Sequence, residues 1–536
     1  MSKLPNLELE PTAMMKMRKL RFLKFYHSCG RIILFKGLLS FPNELRYLYW
    51  DGYPLRSLPT KFDLRYLVEL DMSESHLEQL WEGKQDLVNL KVITLGYSLN
   101  LVRIPDLSSA PNLEKINLLW CYNLRDLPSS LQHLEKLTLL NVNSCINLRS
   151  LPSFYKATSL TKLDLGGCSN LCSFPEIMEL YELDLRGTAL KELPSSIGNL
   201  IGLEDLNMNY CKNLVCLPDS FCKLKSLATF HLHGCSRLEI FPEIMDTMEW
   251  LYELDLSGTA LKELPSSIDN LIGLKYLSLN DSESLVYLPD SFYKLKSLLC
   301  LSLCGRSNLV VKNLFTTVGG RLVNQKDPHG LSSLKKLDLS ESNLENFPTT
   351  IKRFPLQKLI LRNCKRLKSL PELPPSLECL DAHDCTSLED VSSIKKLFEQ
   401  ALFCQDKPYR RLDLKFSNCF KLGEKGDGND IDADDSTSVE EVSSIKKVLK
   451  QVVFCKSLGW LFTNCFQLDQ KAVSSAETPK LEMPFEHMVT LLKDCHQASP
   501  ESKKRACIIT CVPGSEIPEW FDFKSLGSSM NIQLPS

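Results

Sequence analysis

This sequence has no long apolar run, no surplus of charge and none of the compact catalytic signatures. No hydrophobic stretch approaches the ~18 residues that a membrane-crossing helix needs, so a transmembrane receptor is not expected. Lys and Arg number 63 and Asp and Glu 65, a formal charge of −2. That near-balance removes the general electrostatic case for nucleic acid or an anionic membrane surface as partner. The phosphate-cradling G-x-x-x-x-G-K-[ST], the zinc-protease H-E-x-x-H, the nucleophile-elbow G-x-S-x-G and a paired C-x-x-C are all absent. Met1–Thr12 is polar and carries Glu8 and Glu10, with no basic segment leading into an apolar core. The expectation is therefore a chain without a secretory signal. Its 21 cysteines then read as reduced thiols of the cytoplasm or nucleus.

What is present is a repeat. The pattern L-x-x-L-x-L-x-x-C/T-x-N-L-x-x-L-P recurs from Leu45 to Val391. One copy is Leu113, Ile116, Leu118, Cys121, Asn123, Leu124, Leu127, Pro128; the next is Leu137, Leu140, Val142, Cys145, Asn147, Leu148, Leu151, Pro152. Steps of about 20–24 residues are those of a leucine-rich repeat. The expected fold is α/β: a leucine-rich-repeat solenoid with a curved parallel sheet, followed by a partial β-sandwich or jelly-roll-like C-terminal domain. In L-x-x-L-x-L the leucines point inward and the x positions outward, because side chains alternate along a strand. The L-P step ends each turn, since proline cannot continue a ladder. Segments such as Ser195–Leu200 then form short helical or 3₁₀ pieces on the convex side.

Three regions follow. Residues 1–44 form an N-terminal cap, atypical because one face has no neighbour. Residues 45–391 are the solenoid, with an insertion at 310–330 that is expected as a surface loop. In residues 392–536 a helix-then-strand unit is duplicated: Val391–Lys396 recurs as Val442–Lys447, and Ser417–Phe420 is echoed by Thr463–Phe466. Between the copies lies a Gly/Asp-rich acidic linker at 423–438. An internal duplication also stands inside the solenoid, where Leu180–Leu185 recurs as Leu251–Leu256. Each copy continues Gly-Thr-Ala-Leu-Lys-Glu-Leu-Pro-Ser-Ser-Ile after one intervening residue.

Two near-matches to metal sites fail on structural grounds. His231-x-His233-x-Cys235 lacks a third outward ligand, so the histidines read as exposed contact residues. Asp430, Asp432, Asp434 and Glu441 imitate a calcium loop, but Asp435 stands where that loop needs glycine. No metal and no cofactor is expected. Seven cysteines (Cys121, Cys145, Cys168, Cys211, Cys235, Cys364, Cys385) share one repeat position. They read as a buried column of small residues just after the strand.

Binding is then left to the concave face of the sheet, the usual recognition surface of a solenoid. The aromatic residues expected on outward strand positions are Tyr47, Tyr49, Tyr97, Trp120 and Tyr210, with His231 and His233. Lys115, Asn117, Asn207, Asn209, Glu182, Asp184 and Arg186 supply polar contacts. Aromatics are named first because they dominate interface energies.

The repeats L-x-L-x-x-C-x-N-L-x-x-L-P and L-D-L-x-G-T-A-L-K-E-L-P-S-S-I resemble those of plant intracellular disease-resistance receptors of the TIR-NBS-LRR class. The segment Ala13–Leu23 is similar to that family's passage into the first repeat. Pro513, Gly514, Ser515, Glu516, Ile517, Pro518 and Trp520 resemble the signature of its post-repeat jelly-roll domain, termed C-JID. The family's TIR and nucleotide-binding domains have no counterpart here, and the jelly-roll is expected to be truncated near Met530–Leu534. The resemblance implies a non-enzymatic recognition module of innate immunity that binds a pathogen effector or a guarded host protein. In a full-length receptor it would also contact the nucleotide-binding domain. Neither nucleic acid nor membrane is an expected partner. A truncated regulatory or decoy fragment, or an extracellular receptor ectodomain, is the alternative.

Overall fold

The computed structural model describes residues 7–25, 32–33, 37–286, 288–305, 331–347, 349–389, 412–419 and 458–463. They fall in two units, Met1–Leu285 with Pro289–Ser297, and Val286–Leu288 with Leu298–Ser536.

In the first unit each copy of the repeat contributes one short strand. After β1 (Leu7–Glu8), β2 (Phe22–Phe25) and β3 (Ile32–Ile33) come β4 (Tyr47–Trp50), β5 (Glu69–Asp71), β6 (Val92–Thr94), β7 (Lys115–Asn117) and β8 (Leu139–Asn141). They continue as β9 (Lys162–Asp164), β10 (Glu182–Asp184), β11 (Asp205–Asn207), β12 (Thr229–His231), β13 (Glu253–Asp255) and β14 (Tyr276–Ser278). β2 pairs with β4, and from β4 to β14 every strand pairs in parallel with its successor. β1 pairs separately with β3. The register is fixed by the inward row: Leu140, Leu163, Leu183, Leu206, Phe230 and Leu254 lie opposite one another. Each of them is essentially fully buried. A slip by one residue would expose the whole row, which is why one face specifies the pairing. Burying one such side chain is worth about 1.5–3 kcal/mol.

The connections opposite the strands are tight. Short 3₁₀ helices occur at Ser129–His133, Ser195–Asn199, Asp219–Lys223 and Asp290–Lys294, each entered through a proline held near φ −70°. A fifth, Ile268–Asn270, starts after Ser267. The helical share of the expected α/β fold is therefore 3₁₀ only, among the described residues.

The second unit repeats the plan with β15 (Cys300–Ser302), β16 (Lys336–Asp338), β17 (Lys358–Ile360), β18 (Cys379–Asp381), β19 (Leu412–Ser417) and β20 (Leu458–Thr463). These also pair in parallel, each with the next. Both units are parallel-sheet solenoid, as the repeat implies. The insertion at 310–330, the acidic linker at 423–438 and the jelly-roll motif Pro513–Trp520 lie outside the described residues.

Candidate functional site

Every repeat leaves its strand by the same turn, and the candidate residues are spread along it. The last strand residue is usually Asp or Asn, and its side-chain oxygen accepts a hydrogen bond from the backbone N–H two residues on. Asn117 Oδ1 accepts from Leu119 at 3.1 Å, Asp184 from Arg186 at 3.0 Å and Asn207 from Asn209 at 3.1 Å. This is an Asx turn repeated as a ladder. Asn117 and Asn207, expected as polar contacts for a ligand, thus spend their acceptor oxygens on the turn. Asn209 is engaged too, accepting from the His233 backbone N–H at 2.8 Å.

Three residues beyond the strand, the chain enters the left-handed region. Glu74, Tyr97, Trp120, Ser144, Tyr210 and Asp281 take φ between 53° and 61° there. Gly52, Gly167, Gly187, Gly234 and Gly258 fill the same slot in other repeats at φ 64–72°. Up to Gly258 the N–H of each of these slots donates to a carbonyl of the next repeat, as from Trp120 to Asn143 at 2.8 Å and from Tyr210 to His233 at 2.6 Å. This corrects the placement of Tyr97, Trp120 and Tyr210. They are not strand residues. By strand alternation Trp120 would follow Ile116 and Leu118 inward; the strand stops at Asn117, and the left-handed turn swings the side chain out. A side chain there costs about 1–2 kcal/mol relative to an ordinary conformation.

The three rings remain exposed at 47, 38 and 53 % respectively. Tyr97 stacks on Trp120 with centroids 5.8 Å apart, and Trp120 meets Tyr122 at 5.3 Å. These make one aromatic rim over two adjoining repeats. Tyr210 stands apart from it, edge-on to His233 at 4.9 Å. Tyr47 and Tyr49 do lie on a strand, β4, beside Phe22 of β2, and Lys24 sits 4.9 Å over the Tyr49 ring. Burial and the neighbouring Glu69 carboxylate push the Tyr49 hydroxyl up to about 12.

Lys115 faces outward from β7 and His231 from β12. Glu182 is ion-paired with Lys162, and Arg186 with Asp184 at 3.2 Å. Asp184 is held above the usual carboxylate range, by burial first and then by the carboxylates of Asp164 and Asp205. Among the described residues no group of three His, Cys, Asp or Glu side chains could hold a metal, and no helix is long and apolar enough to cross a membrane.

Behind the left-handed slot lies the cysteine column. Cys121, Cys145, Cys168, Cys211 and Cys235 are buried. Each thiol donates to a carbonyl of the preceding repeat, at 3.1–3.3 Å. Burial pushes the Cys121 and Cys168 thiols up to about 12. The Asx ladder and the left-handed column were missed in reading the sequence. Their signal was there: Asp or Asn recurs at the second strand x, and glycine recurs just before Cys or Thr.

The fold and this turn define a leucine-rich-repeat protein. The model for the leucine-rich repeats of RPS4B-like disease resistance proteins matches residues 156–239 and 223–318, and a general leucine-rich-repeat model matches 66–85. The chain is 35 % identical over 560 residues to Disease resistance-like protein DSC1 of Arabidopsis thaliana, covering all of this chain and 39 % of that protein. Against Disease resistance protein RPP2B of the same plant the figures are 35 %, all of this chain and 40 %. TMV resistance protein N of Nicotiana glutinosa is 35 % identical over 71 % of this chain and 32 % of its own length. Among solved structures, a leucine-rich-repeat protein of Leptospira interrogans covers 74 % of this chain and 92 % of its own at 24 % identity and a TM-score of 0.42. Over its whole length the chain is similar to plant disease-resistance proteins. It spans about two-fifths of the length of DSC1 and RPP2B.

Proposed function

We propose that this chain is a non-enzymatic recognition module of an innate immune receptor, and that it binds a pathogen effector or a guarded host protein. In a full-length receptor the same region would also contact the nucleotide-binding domain, and the setting is the cytoplasm or nucleus. One observation carries the reading. Tyr97, Trp120 and Tyr210 hold a backbone conformation that glycine fills in five other repeats of the same unit, and their rings stay exposed. Strain of this kind persists where a function needs the side chain. Exposed Trp and Tyr are the residue types that anchor protein interfaces. Disease-resistance relatives over the full length of the chain favour defence as the setting.

The test is co-precipitation of candidate effectors and host proteins with the chain and with its Trp120→Ala/Tyr210→Ala variant. Truncating two interface anchors should weaken capture about 30-fold or more, corresponding to about 2 kcal/mol. Capture that is indifferent to both substitutions would remove the rim as the recognition surface.

A further inference from the structure

Asp, Glu, Lys and Arg make up 24 % of the chain, yet four successive turns carry none of them. Residues 92–102, 116–124, 138–148 and 165–174 each run uncharged through the turn. The neighbouring turns return to charge, with Asp71, Glu74 and Glu78 before them and Asp184, Arg186 and Lys191 after. The aromatic rim of Tyr97, Trp120 and Tyr122 stands in this uncharged window. Leu99 and Ile146 extend it, exposed at 47 and 38 %. They hold the repeat position of Tyr122, two residues past the left-handed slot, in the repeats before and after it. The five residues form one apolar strip over three neighbouring repeats, about 10 Å along the sheet, two strand spacings.

Exposed apolar strips of this kind mark contact surfaces, and the same unit holds a contrast. Trp250, Tyr252 and Tyr276 are also exposed, but Glu249, Glu253 and Lys275 stand among them. A charged side chain brought against the strip from Tyr97 to Ile146 would lose its hydration and find no opposite charge there. An uncharged strip is therefore complementary to an uncharged surface. Its asparagines are engaged with one another and with the backbone. Asn123 donates to the Leu99 carbonyl at 2.9 Å, Asn147 donates to Asn123 at 3.4 Å, and Asn117 accepts in its own turn. Tyr210 lies outside the window, beside Lys212 and His233.

We propose that this strip docks an uncharged, aliphatic-rich face of a partner protein, whose side chains pack on the rings of Tyr97, Trp120 and Tyr122. Burial of apolar surface supplies the affinity. Refusal of charge of either sign supplies the selectivity, since a wrong partner is rejected by the hydration it must give up. The inference rests on the recognition reading above and narrows the chemistry of the partner. It places the contact between Tyr97 and Ile146 and leaves Tyr210 out.

The experiment uses the whole chain and a fluorescein-labelled helical peptide with capped ends, leucines on one face and glutamines on the other. In two control peptides lysine or glutamate replaces the central leucine. Fluorescence anisotropy should show binding of the neutral peptide that does not weaken between about 50 and about 500 mM salt. Both control peptides should bind about tenfold or more weakly, by similar factors. Leu99→Ser/Ile146→Ser, at two exposed side chains, should cost about tenfold or more. Trp250→Ala, at a ring equally open to solvent but set among charges, should change nothing. The proposal is overturned by absent or salt-weakened binding of the neutral peptide or by undiminished binding of either charged one. Undiminished binding to the double variant, or an equal loss with Trp250→Ala, overturns it as well. Strip-dependent sedimentation with phosphatidylcholine vesicles would overturn it in favour of lipid, and strip-dependent self-association in favour of a second copy of the chain. A protein partner lost with Trp120→Ala/Tyr210→Ala but kept by Leu99→Ser/Ile146→Ser would remove this seat and leave the recognition reading standing.

Discussion

Trp120 and Cys121 are consecutive residues, yet their columns follow opposite rules. Trp120 occupies the exposed left-handed slot, which other repeats fill with Gly, Ser, Glu, Tyr or Asp. Cys121 begins the return to the core, and in the other repeats from β5 to β14 its slot holds only Ser75, Ser98, Cys145, Cys168, Thr188, Cys211, Cys235, Thr259 and Ser282, all buried. Each of these has a short side chain with one weak or strong donor. The buried slot is chosen by packing and by the orphan carbonyls of the turn, so it hardly varies. The exposed slot is constrained only by backbone strain, and strain is a cost that a useful side chain can offset. One turn therefore holds a fixed buried column and a variable exposed column, the one proposed for recognition, a single residue apart.

The largest effect that can sharpen this contrast is alkaline. The Cys121 and Cys168 thiols are pushed up to about 12 in the folded chain, against about 8.5 for a free thiol. The folded state keeps protons that the unfolded state loses, so stability is fully present below the unfolded value and falls as pH rises through this window. Each such thiol contributes a slope of about 1.4 kcal/mol per pH unit between the two values. Denaturant titrations at pH 8, 9, 10 and 11 should therefore show a shallower decline for Cys121→Thr/Cys168→Thr than for the parent. Parallel declines would mean that the column is not as dry as its burial indicates.

The next effect lies in the exposed column, where glycines differ in their surroundings. A Cβ on Gly187 would meet nothing closer than the Gly167 backbone, at 3.8 Å. A Cβ on Gly234 would fall 2.7 Å from the Tyr210 ring, which leans over that glycine. Gly187→Ala should cost about 1 kcal/mol, the left-handed penalty alone. Gly234→Ala should cost about 2 kcal/mol, because the Tyr210 ring must also move. Equal losses in thermal unfolding would show that Tyr210 is not packed against its neighbour.

These distinctions also mark what the sequence could convey. The strand and its inward row were legible because Leu183 and its counterparts recur at one fixed spacing, and burial leaves one register. The cysteine column was legible for the same reason. Trp120 was expected on an outward strand position although it shares the parity of the inward Ile116 and Leu118; the strand ends at Asn117, and alternation says nothing about a left-handed turn. Asn117 and Asn207 were mistaken for free contacts because an Asx turn and a ligand contact use the same residue type. Which carboxylates find cations across strands could not be read at all: Lys162 meeting Glu182 is a three-dimensional fact.

The smallest stability effect belongs to the residue with the largest proposed role. Trp120→Gly relieves a left-handed penalty of about 1–2 kcal/mol. It removes ring contacts with Tyr97 and Tyr122, worth about 0.5–1.5 kcal/mol each. The two terms nearly cancel, so the melting temperature should move by no more than the equivalent of about 1 kcal/mol in either direction. The same variant should lose capture of the partner. A residue retained for the fold would show the reverse, with destabilisation by several kcal/mol and intact binding in whatever fraction remains folded. Calorimetry and co-precipitation on one preparation of Trp120→Gly therefore separate the two columns at their point of contact: a large drop in melting temperature would put Trp120 with the scaffold beside Cys121.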